Sequence, residues 1–306
     1  MEIDDFLKFK LRDLLCDKAK IKHDFREICN ELNKKLETNF GREKIKTELR
    51  DLVIYDILDG SRSTLSKDIK NIDPKAEGGL FAVNLIHTLH AIGGKSCVIL
   101  VHTSYNRERG KKEFNKILER IKIGGLIIEK YVKENNMPCS CVYINDKYEH
   151  KKLLERVNNR RNIDNNRLKS YFLFDYNEKW IASKKGREAV DKLPNIDVHI
   201  RHTKFQISGG CIPDKMTRSV FLYSQNGTVY TNWNPREFIT LVALSLLAKI
   251  LHKGEPLSKT YNNFEEIKHR YKKRDLELFN RVIKLVDKPR KLCIFGSPKG
   301  VFHVYF

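Results

Sequence analysis

Four short stretches of the chain gather side chains that bind phosphate and divalent cations. They are Leu58-Asp59-Gly60-Ser61-Arg62, Thr103-Ser104-Tyr105-Asn106-Arg107-Glu108-Arg109, Ile200-Arg201-His202-Thr203 and Lys215-Met216-Thr217-Arg218-Ser219. Guanidinium groups grip phosphate oxygens in pairs, and a carboxylate such as Asp59 holds a hard cation through oxygen. Hydroxyl and amide groups (Ser61, Thr103, Ser104, Asn106, Ser219) can complete the hydrogen bonds. Brought to one place, these residues would make a site for a diphosphate and its magnesium ion. Taken singly each is weak, because Asp-Gly is a common turn and an arginine at a strand end is a common surface charge.

Other reactive residue types point elsewhere or nowhere. His87 and His90 stand three apart with no third metal ligand nearby in sequence, whereas His102, His199 and His202 fall at strand ends where a general base could stand. His102 and His202 are candidate site walls. The seven cysteines are odd in number and include no Cys-x-x-Cys pair, so they read as reduced core thiols. Cys139 and Cys141 alternate within an apolar run and should share one face of a strand. Neither GxxxxGK[ST] nor GxGxxG follows the first apolar run, which removes the common nucleotide-binding motifs.

The elements that must position these residues are legible as short runs rich in Val, Ile, Tyr and Phe. They lie at 52–58, 96–103, 140–145, 170–176, 196–201 and 219–224. Helical segments at about 77–92, 110–135, 147–160 and 178–192 alternate with the first five. This alternation predicts crossover units and an open, mostly parallel α/β sheet with its site at the carboxyl ends of the strands. Residues 1–50 read as a helical extension, 51–254 as the α/β core, and 255–306 as a basic helix plus a C-terminal hairpin. The apolar segment 238–251 is too short, and too interrupted by Lys249, to span a bilayer. The opening MEIDDFLKFK is no secretory signal. A cytoplasmic protein is the expectation. The net charge of +20 suits polyanionic partners: diphosphates, nucleic acid or an anionic membrane surface touched peripherally.

From Leu52 to Phe238 the series resembles the cis-prenyltransferase family, which includes undecaprenyl and dehydrodolichyl diphosphate synthases. That family's motifs read Asp-Gly-Asn-x-Arg, Ser-x-x-Asn-Trp-x-Arg, Ile-Arg-Thr, Arg-x-Ser-Asn-Phe, Gln and Trp-Pro-x-Phe. The counterparts here are Asp59-Gly60-Ser61-Arg62, then Thr103 with Asn106 and Arg109, then Ile200-Arg201-His202. Ser219-Val220-Phe221 with Gln225, and Trp233-Asn234-Pro235-Arg236-Glu237-Phe238, complete the series. The resemblance implies a magnesium-dependent condensation of isopentenyl diphosphate with an allylic diphosphate. Asp59 would hold the metal and Asn106 would share the catalytic work. Gly60, Ser61, Arg62, Thr103, Ser104, Arg109, Arg201, Arg218 and Ser219 would bind substrate. It further implies a homodimer, or a heterodimer with a related synthase. The resemblance implies that Phe81, Leu85 and Leu89 line a product tunnel, but an apolar helix stripe is more often plain core, and core is the reading favoured for it.

The departures are specific. The Asp59 loop is one residue short, Ala76-Glu77-Gly78-Gly79 stands for Gly-His-Lys-x-Gly, and Arg107 replaces the aromatic of the second motif. The segment FQISGGCIPDKM intervenes before Ser219, leaving Arg218 and Lys215 as rivals for the second arginine. Residues 225–230 offer no glutamate to join Asp59 on a metal. Two further readings therefore stay open. One is a non-catalytic member that partners an active subunit. The other is a basic nucleic-acid-binding protein with Tyr105, Tyr223 and Trp233 as stacking platforms.

Overall fold

The computed structural model describes residues 11–35, 39–58, 73–161, 163–202, 210–216, 219–224, 228, 230–252, 292–297 and 300–305. Its centre is one sheet in the order β3-β4-β2-β1-β5-β6-β7-β8. The strands are β1 Val53–Ile57, β2 Ser96–Leu100, β3 Cys139–Val142, β4 Lys169–Leu173, β5 Val198–His202, β6 Val220–Ser224, β7 Leu292–Ser297 and β8 Gly300–Tyr305. The pairings from β3 through β6 are all parallel, while β7 and β8 add antiparallel to the β6 edge. The C-terminal hairpin thus extends the same sheet.

Parallel strands covered on both faces carry apolar residues without alternation, which is why β2 reads as a nearly unbroken run and β1 is interrupted only by Asp56. One face (Ile54, Cys97, Ile99, Phe172, Val198, Ile200) packs under most of the helices. These are α1 Lys18–Lys35, α2 Arg42–Arg50, α3 Glu77–Ile92, α4 Lys111–Glu134, α5 Lys151–Asn158 and α7 Pro235–His252. The other face (Tyr55, Ile57, Val98, Leu100, Leu173) is covered by Trp180, Val190 of α6 (Lys184–Asp191), Leu193 and Ile212. Cys139 and Cys141 are buried on alternate positions of β3, as their spacing predicts.

Helix α3 is apolar almost all round because it is buried on several sides, its residues from Gly79 to Leu89 all lying in the interior. It starts on Glu77, an acid suited to the positive helix end, and stops at Gly93, whose φ of 104° only glycine adopts without strain. On α4, Gly79 meets Gly124 so closely that a Cβ on Gly79 would lie 2.6 Å from the Gly124 Cα.

The N-terminal segment belongs to this core. Leu11, Ile21, Phe25, Ile28 and Leu32 are buried in the same cluster as α3 and α7. The Asn84 side chain donates to the Leu14 carbonyl at 3.1 Å and accepts from the Cys16 amide at 3.3 Å. Lys249, the cation inside the apolar helix, pairs with Asp197 at 2.7 Å and so ties α7 to the foot of β5.

Candidate functional site

The strand order reverses direction at β1. From β1 the chain builds β2, the edge strand β3 and the intervening β4 on one flank, then crosses to β5 on the opposite flank. The chain leaving β1 enters α3 on one face, while Gly210–Cys211, following β5, lies on the other, against Leu100, Ile57 and Tyr55. Ligands of open α/β sheets bind beyond the carboxyl ends of neighbouring strands at such a switch in strand order, which makes this edge the candidate site. Because β2, β1 and β5 are neighbours, the strands that lead into three of the four stretches singled out in sequence end side by side here.

Near the carboxyl end of β1 a carboxylate is wholly buried. Asp56 sits in β1 between Ile99 and Ile200, with no exposed surface, and accepts from Nε2 of His202 at 3.1 Å. The His202 ring meets Phe81 of α3 edge-on, 5.2 Å between centroids, and Phe81 meets Trp233 at 5.0 Å. On the other face, Arg201 is buried beside Tyr55 and Cys211. There the Tyr55 hydroxyl donates to the Gly210 carbonyl, the Tyr176 hydroxyl to the Cys211 carbonyl at 2.7 Å, and the Gly210 amide to Glu178. His199 packs between Tyr55 and Phe221, and burial, then Arg201, lowers its pKa to about 3.

The stretch after β2 folds as a short 3-10 helical turn over Ser104–Arg109. Thr103 bridges to Tyr176, the Ser104 amide donates to the Tyr176 carbonyl at 2.8 Å, and Ser104 Oγ accepts from Asn177 at 2.8 Å. Arg107 donates to Asp175 from Nε at 2.9 Å and Nη2 at 3.1 Å, and to Glu149 from Nη1 at 2.7 Å and Nη2 at 3.0 Å. This pairing holds the Glu149 carboxyl below its ordinary range. Asp175 takes the left-handed φ of 54°; its amide donates to His102 Nδ1 at 3.2 Å. Burial outweighs the nearby Asp175 charge and lowers the His102 pKa to about 4. Asn106 is half-buried, and its side chain bonds none of the described residues; Arg109 is exposed and faces Glu113 at 3.6 Å.

Among the sequence-predicted site residues, the structure brings Thr103, Ser104, Asn106 and Arg201 to this edge. It does not bring Ser219. That residue precedes β6 at the amino edge, about 13 Å along the strand direction from the level of Arg201, and its Oγ donates to the Ile196 carbonyl at 2.6 Å. Asp59, Gly60, Ser61, Arg62 and Arg218 lie outside the described residues. His87 is a satisfied core histidine, with ring nitrogens 3.1 Å from the Tyr131 hydroxyl and 2.9 Å from the Cys16 carbonyl oxygen.

In three-dimensional structure the chain is similar to a probable undecaprenyl diphosphate synthase from Campylobacter jejuni. The TM-score is 0.48 at 15% identity, covering 69% of this chain and 98% of that one. It is also similar to lavandulyl diphosphate synthase from Lavandula x intermedia in complex with dimethylallyl diphosphate. There the TM-score is 0.49 at 12% identity, covering 63% of this chain and 94% of that one. No protein-family model and no curated protein sequence matches the chain. With both TM-scores below 0.5, no chemistry passes from those proteins to this one.

The described carboxylates at the edge do not fit a magnesium ion. Asp56 is engaged by His202, Asp175 and Glu149 by Arg107, and Glu178 by the Gly210 amide. A hard cation needs several oxygens turned toward one point, so no step is routed through a metal on these residues. A group of His23, Asp24 and Glu27 lies on α1, where Arg236 pairs with both acids. The apolar stripe of α3 is core, as favoured from the sequence. Leu85 and Leu89 show no surface to a water-sized sphere and Phe81 only 3%, so the stripe is packed core and not the wall of an open channel.

Asp56, Asp175 and Glu149 escaped the reading of the sequence. The signal for Asp56 is a charge inside an otherwise apolar run, which requires a buried partner. Asp175, between Phe174 and Tyr176, carried the same signal, whereas Glu149 carried no comparable mark.

Proposed function

We propose that the chain binds isoprenoid diphosphates at the carboxyl edge of β2, β1 and β5 and condenses isopentenyl diphosphate with an allylic diphosphate. One observation carries the reading: the strand order sets the Thr103–Arg109 stretch, the end of β1 and the buried Arg201 side by side at the point where the sheet changes direction. The collinear motif series from Asp59 to Phe238 supports it. In this reading Arg201, Arg62, Ser61 and Thr103 grip diphosphate oxygens, Asn106 orients the allylic group, and Asp59 holds magnesium through the substrate phosphates. Fixed donors around the departing diphosphate supply most of the rate.

A second reading is a member that binds diphosphate without lengthening a chain, either alone or as partner to an active subunit. The sealed stripe of Phe81, Leu85 and Leu89 favours it, because a growing isoprenoid needs an apolar channel. The test is incubation of the full chain with magnesium, labelled isopentenyl diphosphate and allylic diphosphates of several lengths, alongside titration calorimetry. Product lost in Asp59→Ala supports condensation. Binding without product supports the second reading, and no heat with any diphosphate overturns both. Arg201→Met should weaken diphosphate binding at least about tenfold, as expected for loss of a charged hydrogen-bond donor.

A further inference from the structure

Arg107 stands where the second motif of the resembling family carries an aromatic residue, and its surroundings give it a definite task. Four charge-assisted hydrogen bonds, from 2.7 to 3.1 Å, commit its donors to Asp175 and Glu149. Its guanidinium carbon lies 4.9 Å over the Phe114 ring at the start of α4. Asn145 joins the same knot by donating to Asp175 at 3.2 Å, and the Asp175 amide reaches His102. One side chain thus ties the segments leaving β2, β3 and β4 to a helix. Turning it toward a phosphate would leave Asp175, 6% exposed, without its counter-charge, which a single phosphate contact does not offset.

We propose that Arg107 is a positioning residue that clamps the Ser104–Arg109 turn so that the Asn106 amide faces a bound diphosphate, and that it does not bind the ligand itself. The inference rests on the diphosphate reading of the edge, and the clamp can be tested apart from it. The turn is a single short 3-10 helix, a form whose hydrogen-bond geometry is poorer than that of an α-helix. The Asn106 amide donates to the Thr103 carbonyl at 3.1 Å and the Ser104 amide to the Tyr176 carbonyl. Without the clamp the turn should open more often, and residues that act through one another lose their effects non-additively.

The experiment is a double-mutant cycle on the full chain: wild type, Asn106→Ala, Arg107→Met and the double variant, titrated with isopentenyl diphosphate in magnesium. Each single change should weaken binding about tenfold, and the double variant should bind no more weakly than Asn106→Ala alone. Losses that multiply to about a hundredfold, or wild-type affinity in Arg107→Met, overturn the proposal. Hydrogen exchange on the ligand-free chain reads the clamp directly. The Ser104 and Asn106 amides should exchange at least about tenfold faster in Arg107→Met while those of β1 hold. Glu149→Gln, which keeps the Asp175 pair, should move both readouts less and in the same direction if Arg107→Met folds poorly. If the wild type binds no diphosphate, the functional reading fails, and unchanged exchange at Ser104 and Asn106 then overturns the clamp by itself.

Discussion

The buried pair of Asp56 and His202 shows how one residue constrains a site. A carboxylate with no exposed surface, set between isoleucines, survives in the folded state only if a donor meets it, and His202 does so at 3.1 Å. His202→Leu should therefore destabilise the chain by about 3 kcal/mol or more, read from urea unfolding, because it strands a buried charge. Adding Asp56→Leu should restore much of that loss, since two apolar residues of similar volume replace the pair. His102 sets a pH dependence. Its ordinary pKa of 6.5 falls to about 4 on folding, so between those values the unfolded chain binds the extra proton. Stability is then complete above about pH 6.5 and declines toward pH 4. The reason is local: a proton on Nδ1 would displace the Asp175 amide. Unfolding midpoints between pH 7 and pH 4 should fall less steeply in His102→Phe than in wild type.

Helix α3 carries a contrast between adjacent glycines. A Cβ at Gly78 meets nothing within 4 Å, whereas at Gly79 it meets the Gly124 backbone at 2.6 Å. Gly78→Ala should stabilise by up to about 1 kcal/mol through helix propensity. Gly79→Ala should destabilise by about 1–3 kcal/mol through overpacking, since neither backbone can yield. Denaturant midpoints of the two variants, moving in opposite directions, check this. The sequence delimits α3 itself, 77–92 in both readings, by its apolar run and closing glycines. It does not disclose that the helix lies backbone to backbone on α4. That contact depends on two glycines far apart in sequence, Gly79 and Gly124, meeting in space.

Across the whole molecule, the N-terminal helices and the α/β strands share one core. Leu11, Ile21, Phe25 and Leu32 cover α3 and α7 in a single cluster. A chain beginning at residue 39 would expose those helix faces. It should aggregate, or lose its cooperative transition in scanning calorimetry, while the full chain unfolds in one step. No described helix is long and apolar enough to cross a membrane. The charge of +20 should make retention on an anionic matrix fall steeply with salt.

The architecture was legible because its signals are local. Period and residue type mark each strand and helix, and alternation of the two dictates parallel crossovers. The strand runs, the helix at 77–92 and the shared face of Cys139 and Cys141 all follow from neighbours along the chain. Which strand ends meet is a property of strand order, and that is set by how apolar faces pack at long range. The sequence placed Ser219 with Arg201 by motif order, but a parallel β6 has to start at the opposite edge. It counted Arg107 as a departure from a motif, since nothing nearby in the chain announces Asp175 and Glu149. Residue types and spacing determined the sheet and the chemistry available at its edge. Tertiary packing alone decided which of those groups face one another, because hydrogen bonds and buried charges depend on distance in space.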